Sequence, residues 1–71
     1  MGLKEDNMKD EVRINQISNN TYIVIVNGWE LFTRTYMGYD SKEDVIEQLY
    51  QDIYSELKVT EEEFNKQFVI L

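Results

Sequence analysis

The chain has 71 residues and a net charge of −7, with 14 acidic and 7 basic side chains and neither cysteine nor histidine. A chain of this length forms one domain at most and buries only about 60% of the surface that its unfolded form exposes. The absence of cysteine and histidine excludes disulfides, thiolate nucleophiles, imidazole bases and ordinary zinc sites. We therefore predict a small domain that is not an enzyme and has no cofactor or metal.

The first ten residues mix acids and bases without an apolar run, which is not the pattern of a signal peptide. No later stretch is long and apolar enough to span a membrane. We predict a flexible arm over residues 1–10, a single domain over residues 11–71, and a cytoplasmic location without a membrane partner.

Three β-strands are predicted from β-branched and aromatic residues and from the turns between them. The turns are Asn19-Asn20 and Asn27-Gly28. The second is the sharpest local signal, because both residue types tolerate the positive φ that a two-residue type I′ hairpin requires. The predicted strands cover residues 12–17, 21–26 and 29–36.

Two-residue turns fix a register, and the register sorts the side chains into two faces. The expected pairs are Ile17 with Tyr22, Ile14 with Ile25, Val26 with Trp29, Val24 with Leu31, and Ile23 with Phe32. The face assigned to the core carries Val12, Ile14, Ile23, Ile25, Phe32 and Tyr36. The opposite face carries Arg13, Asn15, Ile17, Tyr22, Val24, Val26, Trp29, Leu31, Thr33 and Thr35.

After residue 40 the apolar period becomes helical. Ser41 followed by Asp44 predicts the start of a first helix, and Thr60 followed by Glu63 forms a T-x-x-E capping box that predicts a second. The apolar positions of the first helix are Val45, Ile46, Leu49, Tyr50, Ile53, Tyr54 and Leu57. The predicted fold is α+β, with a three-stranded antiparallel sheet followed by two helices in the order β-β-β-α-α.

The charge is concentrated in the helical segment. Residues 40–63 hold nine acids and two bases, whereas residues 1–39 hold five acids and four bases. Nucleic acid and anionic lipid repel such a segment, so the favoured partner is a basic protein surface, for example the nucleic-acid groove of an enzyme.

Side chains three or four residues apart on a helix are neighbours, so the acids of the first helix can form a ladder that resembles a row of phosphates. The residues that we predict to pair with a basic partner are Glu43, Asp44, Glu47, Asp52 and Glu56. A simpler interpretation is that these acids only solvate the outer helix face. The near-absence of bases among them favours the binding interpretation, because a solubility face normally mixes both signs.

Trp29 and Tyr22 are predicted to anchor the partner, because they lie on the apolar face directed away from the first helix and aromatic residues dominate interface energetics. Three alternatives remain open for that face. The second helix and the C-terminal tail could cover it, a second copy of the chain could cover it, or it could be the binding site.

The strand end and helix start over residues 34–46 resemble a pattern in many small proteins of phages and mobile elements of Gram-positive bacteria, in which Tyr-x-Gly-Tyr passes into a Ser/Thr-Lys-Glu helix start. The matching stretch reads Arg-Thr-Tyr-Met-Gly-Tyr-Asp-Ser-Lys-Glu-Asp-Val-Ile. Many such proteins continue with a basic helix, whereas this chain continues with an acidic one. Small size, acidity and aromatic content are also similar to phage inhibitors of the anti-CRISPR and anti-restriction type.

The resemblance and the charge pattern together lead to one functional hypothesis. The protein is a non-enzymatic, DNA-mimic-like inhibitor that binds a basic surface of a nucleic-acid-processing protein and does not bind nucleic acid itself. The alternative is a small homodimerising structural or accessory domain without inhibitor activity.

Overall fold

The structure, a computed structural model, describes residues 9–71. This part of the chain forms β1 (Asp10–Gln16), β2 (Thr21–Val26), β3 (Trp29–Thr35), α1 (Lys42–Leu57), α2 (Glu61–Gln67) and β4 (Phe68–Ile70). The predicted α+β class and the order of three strands before two helices are confirmed.

The sheet has one strand more than predicted. Its strand order is β3-β2-β1-β4, and β4 lies parallel to β1 while the other pairs are antiparallel. The apolar tail after α2 therefore extends the sheet, with Phe68 opposite Asp10 and Ile70 opposite Val12. The backbone N–H of Leu71 also donates to the carbonyl oxygen of Val12 at 2.9 Å. A purely antiparallel sheet was the wrong prediction, because three tail residues carry too little pattern to reveal a strand that pairs with a distant one.

The predicted N-terminal arm overlaps β1, which already begins at Asp10. Lys9 donates from Nζ to the carbonyl oxygen of Asn65 at 3.2 Å. Residues 1–8 of the predicted arm lie outside the described residues.

The Asn27-Gly28 turn is confirmed by φ values of 51° and 88°. Asn27 also ties this hairpin to β1. The side-chain oxygen of Asn27 accepts from the backbone N–H of Glu11 at 2.9 Å, and the backbone N–H of Asn27 donates to the carbonyl oxygen of Glu11 at 2.8 Å. The asparagine thus serves both the turn and the neighbouring strand.

The connection between β1 and β2 is longer than predicted. Gln16, not Ile17, lies opposite Tyr22. The backbone N–H groups of Ile17 and Ser18 both donate to the carbonyl oxygen of Thr21, at 2.9 and 3.4 Å. These bonds close a turn that includes Ile17, so the two-residue turn was wrong. The predicted pairs that change are Ile17 with Tyr22 and Ile14 with Ile25, and Ile14 lies opposite Val24.

A β-bulge in β3 produces a second register shift. The pairing of Val26 with Trp29 is confirmed, but Leu31 is an extra residue because Glu30 and Phe32 oppose consecutive residues of β2. The predicted pairs that the bulge breaks are Val24 with Leu31 and Ile23 with Phe32, and Phe32 lies opposite Val24.

The two shifts exchange the faces of β2, because a one-residue slip moves every side chain of a strand to the other side. Tyr22 and Val24 are buried under the helices, while Ile23 and Ile25 lie on the open face of the sheet and are half-buried. The predicted face assignment of β2 was wrong, whereas Val12 and Phe32 are buried as expected. The buried core consists of Val12, Tyr22, Val24, Phe32, Tyr36, Val45, Leu49, Ile53 and Phe64.

Both helices begin where the sequence predicts. The side chain of Ser41 accepts from the backbone N–H of Asp44 at 3.2 Å. Thr60 and Glu63 form both bonds of the capping box, at 3.1 and 2.9 Å. Phe64 of α2 belongs to the same core as α1, so both helices pack against one face of the sheet. Internal cover was one of three alternatives for the face with Tyr22 and Val24, and it holds for these two residues, which are buried in this core.

Candidate functional site

The first two turns of α1 present three exposed carboxylates, Glu43, Asp44 and Glu47. Glu43 and Glu47 are four residues apart, so their side chains lie next to each other on the helix surface. Within residues 9–71 none of the three forms an ion pair. Acids at this end also suit the positive end of the helix dipole. The structure thus brings together the first three of the five predicted acids and leaves them available to a partner.

The other two predicted acids, Asp52 and Glu56, face the sheet and pair with Arg34 of β3. Arg34 lies 3.2 Å from Asp52 and 2.6 Å from Glu56. The guanidinium also stacks over the ring of Phe32, with its central carbon 4.5 Å from the ring centre. Two of the five acids therefore pair with a half-exposed arginine of the sheet and help to hold α1 on it.

Asp52 is the centre of a partly buried hydrogen-bond network. It accepts from the hydroxyl of Tyr36 at 2.6 Å and from the side-chain amide of Gln48 at 2.9 Å. Partial burial by itself would raise the pKa of Asp52, but the hydrogen bonds from Tyr36, Gln48 and Arg34 outweigh it and hold the pKa below its usual value. Burial and the bond to Asp52 raise the pKa of Tyr36. This network explains why the middle of α1 is acidic without any reference to a partner.

A shallow depression of about 510 Å³ lies on α1 beside the exposed acids. Ile46 and Tyr50, four residues apart, form its apolar part, and Lys42, Glu43 and Glu47 form its rim. Ile46 and Tyr50 are half-buried and pack against the core on their inner side. Sequence reasoning missed this depression because it assigned both residues to the helix core. The available signal was their position one residue after the buried Val45 and Leu49, on the flank of the helix.

The two predicted aromatic anchors are separated. Trp29 is 80% exposed at the start of β3, whereas only 4% of Tyr22 is exposed. The predicted role of Tyr22 rested on the wrong register, and its burial leaves it inaccessible to a partner. Trp29 also lies at the opposite end of β3 from Tyr36, which lines a depression together with Lys42 at the start of α1, and β3 extends roughly 20 Å from end to end.

A second depression, of about 420 Å³, lies between the β1–β2 turn and the start of α1. Two of its polar side chains already form hydrogen bonds within the protein. The side-chain amide of Gln16 donates to the carbonyl oxygen of Asn19 at 3.0 Å, and Ser41 caps α1. No unsatisfied buried side-chain atom points into it in the described structure. This depression therefore gives no indication of a ligand.

Two further properties concern residues 9–71. No group of three or more acidic side chains is arranged so that it could hold a metal ion. No helix in this region is long and apolar enough to cross a membrane.

The comparisons with known proteins give no relative. No protein-family model matches the chain. No curated protein and no solved structure is significantly similar to it.

Proposed function

We propose that the protein is a non-enzymatic binding protein whose helix α1 docks on a basic surface of a nucleic-acid-processing protein. The observation that supports it is the set of exposed carboxylates at Glu43, Asp44 and Glu47, which lie on one helix without an internal cation among the described residues. Charged groups that a fold does not use internally steer association and select a partner of opposite sign.

The inner acids of α1 strengthen this proposal indirectly. Because Asp52 and Glu56 pair with Arg34, the outer carboxylates stand on a helix that is fixed to the sheet by ion pairs and by its buried apolar face. Carboxylates on a fixed helix present negative charge in a fixed arrangement, as the phosphates of a nucleic-acid backbone do. A surface that binds phosphates with lysine and arginine would accept such a row.

This proposal assigns the protein to the class of small phage or mobile-element inhibitors, of the anti-CRISPR or anti-restriction type, that act in the cytoplasm. A chain of 71 residues with a net charge of −7 has the small size and the acidity that a DNA-mimic-like inhibitor requires. It would not bind nucleic acid, because phosphates repel its acidic face.

Affinity capture from a lysate of a Gram-positive bacterium tests the proposal. Wild-type protein is compared with a double charge reversal on α1, Glu43→Lys with Glu47→Lys. A matched control, Glu11→Lys with Glu30→Lys, changes the net charge equally on the open face of the sheet. We expect wild type and control to retain a basic nucleic-acid-processing protein at low salt, and the α1 variant to lose it.

The reversal on α1 avoids Asp52, because a change there would break the pairing with Arg34 and confuse binding with folding. Unfolding curves of both variants establish that each is folded. Equal capture by the α1 variant and by wild type would contradict the proposal.

A second candidate function, a homodimerising accessory domain, is favoured by a different observation. β3 is an edge strand of the sheet, and Trp29 at its start is 80% exposed. An unpaired edge with an exposed aromatic residue is suited to pairing with another chain. Sedimentation at high concentration distinguishes the two functions, because a measured mass equal to one chain would exclude a homodimer.

A further inference from the structure

The exposed acids of α1 adjoin an apolar depression, and the two features share residues. Glu43 and Glu47 form the rim, while Ile46 and Tyr50 form the apolar part. Each glutamate lies three residues before one of the apolar side chains, so acid and apolar groups are direct neighbours on the helix surface. A partner that binds the acids therefore also covers the depression.

The floor of this depression is rigid. Ile46 and Tyr50 pack on the core through their inner sides, and the next residues inward, Val45 and Leu49, are buried. A shallow site on such a floor can bury an inserted side chain without ordering new protein segments. Little of the binding free energy is therefore lost to conformational entropy.

The charge around the depression decides what its occupant is. The rim has two glutamates and one lysine, Lys42, and is therefore negative. Asp44 lies next to it on the exposed side of the helix. A second copy of this chain would bring another net charge of −7 to the same place. A segment with lysine or arginine on both sides of an apolar side chain matches both the rim and the floor.

We infer that this depression on α1 binds an apolar side chain of a basic protein segment, with flanking lysine or arginine residues on Glu43 and Glu47. The inference rests on the proposed function and adds the kind of sequence that the partner presents. The apolar contact supplies selectivity among basic surfaces, because charge alone attracts many of them.

Two synthetic peptides test the inference. Both are short and rich in lysine and arginine, and they differ only at a central position, which is leucine in one and serine in the other. We expect the leucine peptide to bind wild type about tenfold more tightly, as the burial of one aliphatic side chain provides. Binding of both peptides should weaken as salt increases.

Two variants of the protein locate the apolar contact. Ile46→Ser should abolish the preference for leucine and keep salt-sensitive binding of both peptides. The matched control is Ile23→Ser, which changes a half-buried isoleucine on the open face of the sheet and should retain the preference. If Ile46→Ser does not fold, wild-type amide NMR shifts with the leucine peptide decide, because the inference requires them to centre on residues 42–50 and not on the indole of Trp29.

Each result has a defined meaning. A leucine preference that Ile46→Ser removes, or shifts centred on residues 42–50, supports the inference. If wild type binds the two peptides equally and the Glu43→Lys/Glu47→Lys variant binds neither, the apolar contact is overturned and the proposed function stands. A preference for the leucine peptide with NMR shifts centred on Trp29 also overturns the inference. Absence of binding by both peptides at low salt overturns the inference and counts against the proposed function.

Discussion

The hydroxyl of Tyr36 donates a 2.6 Å hydrogen bond to Oδ2 of Asp52, and Nη1 of Arg34 lies 3.2 Å from the same oxygen. Through this one carboxylate, the end of β3 is joined to the middle of α1. Asp52 therefore stabilises the fold, whereas Glu43 and Glu47 form no ion pair among residues 9–71.

Replacing Asp52 by Asn should lower the free energy of unfolding by about 1–2 kcal/mol at neutral pH, because the ion pair with Arg34 is lost and a hydrogen bond weakens. The pKa of Asp52 is depressed in the folded state, so its stabilising effect is complete above the unfolded pKa of about 3.9 and disappears as pH falls through the folded pKa. Urea unfolding at neutral and acidic pH measures both effects.

The control for Asp52→Asn is Glu47→Gln, since Glu47 is exposed and has no ion pair among residues 9–71. It should change stability by less than about 0.5 kcal/mol. If the difference between wild type and Asp52→Asn stayed constant down to low pH, the role of the Asp52 carboxylate would be refuted.

Replacing Tyr36 by Phe tests the same network at alkaline pH. The folded state raises the pKa of Tyr36, so an unfolded chain releases this proton near pH 10 while the folded protein still holds it. Stability of the wild type should therefore fall above that pH, and Tyr36→Phe should show a smaller fall. At neutral pH the variant should be less stable by about 1 kcal/mol, because its hydrogen bond to Asp52 is missing. Urea midpoints on both sides of pH 10 check this, and an unchanged alkaline slope would argue against it.

Replacing Thr60 by Ala removes the side-chain acceptor of the capping box, which binds the backbone N–H of Glu63 at 3.1 Å. The expected loss is about 1 kcal/mol of unfolding free energy. Ser55→Ala, at an exposed position inside α1, is the matched control and should be neutral or slightly stabilising. Thermal unfolding compares them, and an equal effect of the two substitutions would show that the cap does not contribute.

Replacing Gly28 by Ala should destabilise the hairpin by about 1–2 kcal/mol, because φ is +88° and an alanine there is strained. No atom lies within 4 Å of the position where Cβ would be, so the cost comes from the backbone alone. Gly28→Asn should cost less, since asparagine tolerates positive φ. Equal melting temperatures for the two variants would contradict this explanation.

Local signals were sufficient for part of the fold. The caps at Ser41 and Thr60 and the hairpin at Asn27-Gly28 form within a few residues of chain, and the structure confirms all three. The register of the strands was not determined by local signals. The bulge at Leu31 leaves no mark in an alternating sequence, and together with the longer β1–β2 turn it reversed the faces of β2.

The candidate site was predicted in part for the same reason. Glu43 and Glu47 are exposed because their helix position alone directs them outward. The pairing of Asp52 and Glu56 with Arg34 depends on how α1 lies across β3, which helix periodicity cannot reveal. Position on the helix does separate them from the outer acids, since both lie on the flank opposite Ile46 and Tyr50.

The most direct measurement of the central proposal is competition by nucleic acid during capture. Nuclease-treated lysate is passed over immobilised wild-type protein with increasing amounts of added duplex or single-stranded DNA. If the carboxylates of α1 occupy a phosphate-binding surface, added DNA should release the captured protein, and the Glu11→Lys/Glu30→Lys control should behave as wild type does. Retention that is independent of added DNA at every concentration would contradict the phosphate-surrogate account.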